Sequence, residues 1–299
     1  MQNNVQNIII EEKYSFISSN IIGKGSFGVI YKGEIMKTKE PIAIKEEKST
    51  NKKLLLNEYK IIEQLQEGRG IIKVHSYFSN EKCDYIVMEY MNKNLNDVFE
   101  YNKYQFSIKN ILIVANHILD IIEFIHSKGF IHRDIKPENF LINKDNKSLK
   151  IIDFGLSLRY IDEKTKEHIE QITHKSLIGT PIFASINNHM GLEQSRRDDL
   201  ESFGYMIAYF CKGNLPWQGL FAKSKKEKYE KIKRIKVSYK KSLELFKMLP
   251  YEFTEYMKYV YNLEFKEEPN YKYIRDIFNS IWKRYDYGND YKLDIFVPE

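Results

Sequence analysis

An α+β fold in two lobes, a small β-rich one followed by a larger helical one, is what this 299-residue sequence predicts, on three observations. The first ninety or so residues alternate short apolar runs with glycines, which is a strand signal. After about Asn92 the apolar spacing changes to a helical period. Residues 200–213, LESFGYMIAYFCKG, are apolar nearly all round, which marks a helix inside a large core.

In chain order, residues 1–15 read as an extension, 16–91 as the small lobe, 92–283 as the large lobe and 284–299 as a tail. The lobes join near 89–92, with a cleft expected between them. FISSNII (16–22), GVIYKGEI (28–35), PIAIK (41–45) and YIVMEY (85–90) read as strands. KKLLLNEYKIIEQLQ (52–66) has helical spacing through Leu55, Tyr59, Ile62 and Leu65. Residues 110–126 place Ile111, Val114, Ala115, Ile118, Ile122 and Ile125 on one face and run into Ser127-Lys128-Gly129, a glycine C-cap.

Composition narrows the function class. Forty-seven Lys and Arg stand against 41 Asp and Glu, mixed along the chain, so the net charge of +6 points to neither nucleic acid nor a membrane surface. Cys83 and Cys211 form no CxxC pair, which argues against a disulfide framework or a cysteine zinc site and for a reducing, intracellular compartment. The N-terminus lacks the basic region of a secretory signal. The longest apolar stretch, 111–126, is broken by Asn116, His117, Asp120 and Glu123 and is too short to span a bilayer.

The chemistry begins at IIGKGSFGVIYKG (21–33), with Gly23, Gly25 and Gly28 in GxGxxG spacing. That spacing alone is weak, being shared with dinucleotide folds and ordinary glycine hairpins. Alternation on both sides predicts strand–turn–strand, a flap whose backbone can approach phosphates. Lys45 ends the apolar strand IAIK, where it is either a solvated strand end or a phosphate ligand. The strongest local signal is FIHRDIKPENFLI (130–142) followed by IIDFGLS (151–157), which groups Asp134, Lys136 and Asn139 in one loop and sets Asp153 before Phe-Gly.

This ordered set resembles the eukaryotic protein kinases. Phosphoryl transfer needs a held polyphosphate, magnesium and an oriented hydroxyl, because its transition state calls for charge stabilisation and alignment. The resemblance implies ATP and Mg²⁺, with Asp134 orienting the substrate hydroxyl, Lys136 neutralising the transferred group, and Asn139 and Asp153 as hard oxygen ligands of the metal. Lys45 would meet the α- and β-phosphates while paired with a helix glutamate, either Glu58 or Glu63, of which Glu58 fits better. The flap would contribute Gly23, Gly25, Ser26 and Gly28. An adenine pocket maps onto Ile22, Ile30, Ala43 and Leu141, with Met88 as gatekeeper and backbone groups of Glu89 and Met91, although ordinary core packing explains the apolar members equally well.

Most protein kinases close the activation segment with Ala-Pro-Glu, whose glutamate pairs with a buried arginine; GTPIFASIN (179–187) has Ser185-Ile186-Asn187 there. The pieces HMGLEQSRRDDLES (189–202) and LPWQGL (215–220) resemble the casein kinase 1 family, a likeness running from about Tyr14 to YDYGND (285–290). It implies a monomeric serine/threonine kinase of cytoplasm or nucleus, constitutively active, acting on proteins with an acidic or phosphorylated residue upstream of the acceptor. Lys175, Lys225, Lys226 and Lys228 would form the anion site. Ile182 and Leu158 replace two basic residues of the family, and MNKNLNDVF departs from its glycine-containing form, which bears on substrate preference and not on transfer. A pseudokinase or scaffold is the alternative; it would typically lack one of Lys45, Asp134 and Asp153, all present here. A small-molecule kinase is disfavoured by the match over 185–219. The chain ends soon after the helical lobe, so no long tail extension is expected within it.

Overall fold

The computed structural model describes residues 6–25, 28–49, 53–143 and 148–298. The chain divides into two compact units, Met1–Asn92 with Lys150–Gly155, and Lys93–Leu149 with Leu156–Glu299. The short segment 150–155 packs with the first unit because its backbone is tied there: Ile151 donates to Gly70 O at 2.8 Å and Ile72 donates to Ile151 O at 3.3 Å.

The first unit is an antiparallel six-stranded sheet with one helix. Its strands are β1 (Asn7–Ile10), β2 (Tyr14–Lys24), β3 (Gly28–Ile35), β4 (Pro41–Lys48), β5 (Val74–Ser79) and β6 (Cys83–Glu89), ordered β1-β2-β3-β4-β6-β5. Side chains alternate between faces along a strand, and directly paired residues share a face. One face carries Tyr14, Phe16, Tyr31, Ile42, Ile44 and Val87 into a closed apolar cluster. The register pairs Ile30 with Lys45, Lys45 with Ile86 and Ala43 with Met88, which puts these residues on the opposite face. Helix α1 (Leu54–Gln64) buries Leu55, Glu58 and Ile62. Its inward stripe therefore includes Glu58 in place of the expected Tyr59, which is half-buried and donates to Glu63 at 3.1 Å.

The second unit is built around α5 (Arg196–Lys212), which packs on α3 (Ile108–Ser127) and α7 (Tyr251–Asn262), with α8 (Tyr271–Arg284) against both of the latter. Every residue of α5 from Leu200 to Phe210 is buried. Gly204 lets α7 come close, since a Cβ there would lie 2.1 Å from the Met257 sulfur. Gly213 ends α5 at φ 79, the left-handed cap expected of glycine. The remaining strands and helices of the chain are β7 (Lys93–Asn94), α2 (Leu95–Tyr101), β8 (Phe130–Ile131), β9 (Phe140–Ile142), β10 (Leu149–Ile151, whose last two residues belong to the first unit), β11 (Leu158–Arg159), α4 (Ile186–His189) and α6 (Lys225–Ser242). Beyond α8 the chain is extended and anchored by two asparagines that act as strand surrogates. Asn110 exchanges two hydrogen bonds with the Asp294 backbone, and Asn102 does the same with Phe296. Leu293, Ile295 and Val297 are buried there. No helix among the described residues is long and apolar enough to cross a membrane.

Candidate active site

In the first unit the chemistry centres on Lys45, at the β4 position that faces away from the closed apolar cluster. Its ammonium donates to Glu58 Oε2 at 2.7 Å and to Asp153 Oδ1 at 3.1 Å, and Glu47 lies 3.7 Å away. Glu58 is the helix carboxylate in this pair; Glu63 bonds Tyr59 instead. Burial by itself would lower the lysine, but the charges of Glu58 and Asp153, helped by the Glu58 hydrogen bond and by Glu47, push it above the ordinary lysine value. Glu58 moves up from the usual glutamate range because it is buried, against the pull of Lys45. Lys45 is thus a full cation held among three acids, one of which, Asp153, keeps 40% of its side chain exposed. Asp153 sits at φ 65, a left-handed conformation that a non-glycine residue adopts only where its surroundings hold it.

Around this cluster the flap glycines differ in what they do. Gly25 has open space beside it, its nearest neighbour being Gly28 O at 4.0 Å from a built Cβ. At Gly28 a Cβ would lie 2.1 Å from Glu46 O, so that glycine is required by the approach of β3 to β4, whatever the flap binds. Gly23 has only ordinary contacts with Ile30. Ser26 lies outside the described residues. Of the pocket candidates in this unit, Ala43, Met88 and Met91 are nearly buried, Ile30 is half-buried, and Ile22 is exposed at a register shift of β2. The Glu89 amide donates to Lys73 O at 2.9 Å, and its carboxylate accepts from the Lys73 amide at 2.6 Å and from Lys150.

In the second unit β8 leads into a loop and a 3-10 turn, Pro137–Asn139, that together present Asp134. This carboxylate takes hydrogen bonds from Lys136 Nζ at 2.5 Å, from the Thr180 amide at 2.9 Å and from Asn139 Nδ2 at 3.2 Å. Lys136 also donates to Thr180 Oγ1 at 2.9 Å. Leu141, in β9, is half-buried. Gly179 is needed here twice over: φ is 73, and a Cβ would sit 2.8 Å from Arg133 O and 2.9 Å from Asp134 Oδ1. Asn139 spends its amide nitrogen on Asp134, its bond to the backbone oxygen being 2.9 Å, which leaves the amide oxygen for a cation. Asp153 in the first unit and Asn139 in the second each offer a hard oxygen donor of the kind Mg²⁺ prefers.

Two groups of residues hold this site that sequence reasoning gave no role. Asp199 accepts from the amides of His132 at 2.7 Å and Arg133 at 2.8 Å and contacts His126 Nε2 at 3.0 Å. It thereby fixes Arg133 at φ 67, immediately before Asp134. The hydrogen bonds it receives, above all from His126, keep Asp199 below the usual carboxylate range despite full burial. The second group closes the activation segment where Ala-Pro-Glu is missing. Ser185 caps α4 and donates to Asp198 at 2.6 Å, Asn187 donates to Asp198 at 3.0 Å, and the Ile186 amide donates to Glu201 at 2.7 Å. The carboxylates come from α5 instead of from the segment itself.

The four lysines assigned to an anion site divide between two places. Lys175 is salt-bridged to Glu193 at 2.9 Å, in a strand-like contact of the loop with Gly191. Lys225, Lys226 and Lys228 stand on the first turn of α6, where Lys225 lies over the Tyr229 ring. Leu158 is a strand residue paired with Ile131, and the Ile182 carbonyl accepts from Trp217 Nε1 at 2.8 Å.

A carboxylate held between a lysine and a threonine amide can take the proton of a hydroxyl, and a buried ammonium among acids can meet an anion. Residues 16–282 match the family model described as the protein kinase domain.

Proposed function

Because the chain belongs to the protein kinase domain family, we propose that it is a serine/threonine kinase of casein kinase 1 type, transferring the γ-phosphate of ATP to hydroxyls of acidic or primed proteins. The observation that carries the reading is the bonding of Asp134 to Lys136 and to Thr180, which fixes a proton acceptor beside the segment that would seat a peptide. Asp134 orients the incoming hydroxyl and takes its proton. Lys136, already shared between Asp134 and Thr180, supplies positive charge where negative charge develops. Lys45 binds the nucleotide phosphates as a charge that Glu58 holds in place. Asp153 and Asn139 would hold Mg²⁺, which when bound neutralises phosphate charge.

How the loop is held supports a constitutively active form. Arg133, which could serve as a phosphate receptor, donates to Leu156 O at 2.6 Å and lies 3.6 Å from Glu193. Loop backbone is tied by hydrogen bonds at Tyr160–Ile169, Ile172–Glu193 and Lys175–Gly191. Glu193 also compensates Lys175, so the premium for a priming phosphate should be weaker than in relatives that carry arginine at position 182. We take the working form to be a monomer of cytoplasm or nucleus.

Transfer of labelled phosphate from ATP to casein, to an aminoglycoside and to choline, followed by identification of the labelled amino acid, tests the proposal. Label on serine or threonine of casein supports it. Label on a small molecule overturns it, and no transfer at all returns the pseudokinase reading.

A further inference from the structure

Lys236, on α6, is wholly buried, yet it has no carboxylate within salt-bridge distance among the described residues. Long cationic side chains are almost never found fully buried without partners. Its partners are carbonyls and rings: Nζ donates to Pro181 O at 3.0 Å and to Ala184 O, and lies 4.5 Å from the Tyr205 ring centroid and 5.1 Å from that of Trp217. Two neighbours hold the same stretch of backbone. His189 Nε2 donates to Pro181 O at 3.0 Å, and Trp217 Nε1 donates to Ile182 O at 2.8 Å. The carbonyls of residues 181, 182 and 184 are therefore fixed from within the core, while Thr180, one residue earlier, is bonded to Asp134 and Lys136.

Charge balance comes from Glu201 at a distance. Its carboxylate accepts from the Ile186 amide and from Tyr205 OH, both at 2.7 Å, and Tyr205 presents its ring to the Lys236 ammonium. Burial pushes Lys236 down and Glu201 up from their ordinary values, and the attraction of each for the other opposes this. A methionine would fill the same volume among Tyr205 and Trp217, but it would leave Ala184 O without this donor and Pro181 O with His189 alone.

We propose that Lys236 is a positioning residue for the protein acceptor: it sets the backbone of residues 181–184, and through Thr180 the relation of that segment to Asp134. The proposal rests on the protein-kinase reading above, and it assigns to α6 and α5 the closure that Ser185-Ile186-Asn187 cannot supply. It predicts a defect confined to the acceptor side, because none of these groups belongs to the Lys45 cluster.

The test compares Lys236→Met, Glu201→Gln, the double variant Lys236→Met/Glu201→Gln, and Trp217→Phe, which deletes the donor to Ile182 O. Lys236→Met alone leaves Glu201 buried without its compensating cation and can fail to fold; the double variant removes both charges and carries the test. The expected result for the double variant is a thermal midpoint above that of Lys236→Met. Its KM for a seryl peptide rises tenfold or more, its KM for ATP stays within twofold of the parent, and amide exchange across 181–187 is at least tenfold faster. Trp217→Phe moves the peptide KM and the exchange rate in the same direction by a smaller factor. Recovery of the parent peptide KM together with stability in the double variant would make Lys236 a structural residue only and overturn the proposal. Unchanged exchange across 181–187 overturns it as well, and that readout holds even if the parent transfers no phosphate to seryl peptides, an outcome that counts against the proposed substrate instead.

Discussion

Lys45 and Lys236 both reach inward, one in each unit, and their surroundings are opposite in kind. Lys45 keeps 12% of its side chain exposed and stands among Glu58, Asp153 and Glu47, which raise its affinity for a proton. Lys236 is 0% exposed, bonds backbone carbonyls and aromatic faces, and is lowered by burial. A cation meant to meet an external anion must stay charged and reachable, and neighbouring acids ensure the first while partial exposure ensures the second. A cation that only organises backbone needs donors, not access. On the proposed roles, the difference separates a ligand-facing lysine from a scaffold lysine by environment alone.

That contrast can be broken most severely at Asp134, the carboxylate proposed to take the hydroxyl proton. Asp134→Asn keeps an acceptor for the Thr180 amide but loses the proton-accepting charge. We expect kcat to fall by on the order of 10² or more, with thermal unfolding near that of the parent; normal transfer in a folded variant would remove Asp134 from the mechanism. Asp153→Ala should cost a similar factor of roughly 10² in kcat. Lys45→Met should also lower kcat by about 10², and it leaves Glu58, Glu47 and Asp153 facing one another without their cation. Glu58→Gln retains a hydrogen-bond acceptor and should cost less than Lys45→Met, a ranking that steady-state kinetics checks directly.

A smaller effect should follow from Ile182→Arg, which adds a planar fork of donors to a segment whose Lys175 is already paired. The ratio of kcat/KM for a phosphoserine peptide to that for its aspartate counterpart should rise several-fold, and a strong phosphoserine preference in the parent would contradict the reading. The smallest effect concerns His189, beneath the same segment. Burial first, then the charge of Lys236, lower it from 6.5 to about 4. Between those values the unfolded chain binds a proton that the folded chain refuses. Stability is therefore fully present above pH 6.5 and falls as pH drops toward 4, by at most about 3 kcal/mol from this group. His189→Gln should flatten part of that slope in denaturant titrations, and only part, since burial also lowers His126 and His168.

Much of this architecture was legible because burial imposes a period. Strands β2, β3, β4 and β6 and helices α3 and α5 carry apolar patterns that their neighbours demand. Strand β5 was missed: VHSYFS is half-buried along most of its length at the sheet edge, so no clean alternation marks it. Strand β1 was read as part of an extension, because Ile8-Ile9-Ile10 is too short to show alternation. Glu58 sits three residues after Leu55 and four before Ile62, on the stripe they define, so its inward direction is readable from spacing. Asp199, Glu201 and Lys236 were not readable as site residues, since charged side chains on a helix ordinarily signal a solvated face. Most of their partners are backbone groups 15 to 67 residues away, to which sequence patterns give no address. Helix α6 hides its buried side for the same reason, being lysine-rich on all but the narrow face of Ile232 and Lys236.

Initial rates with ATP and a seryl peptide varied independently, for Lys45→Met and for Lys236→Met/Glu201→Gln, test the division of labour most directly. The account predicts that Lys45→Met lowers kcat by about 10² at saturation with both substrates, while the double variant raises the peptide KM and leaves the KM for ATP within about twofold. The same pattern of defects in both variants would contradict it.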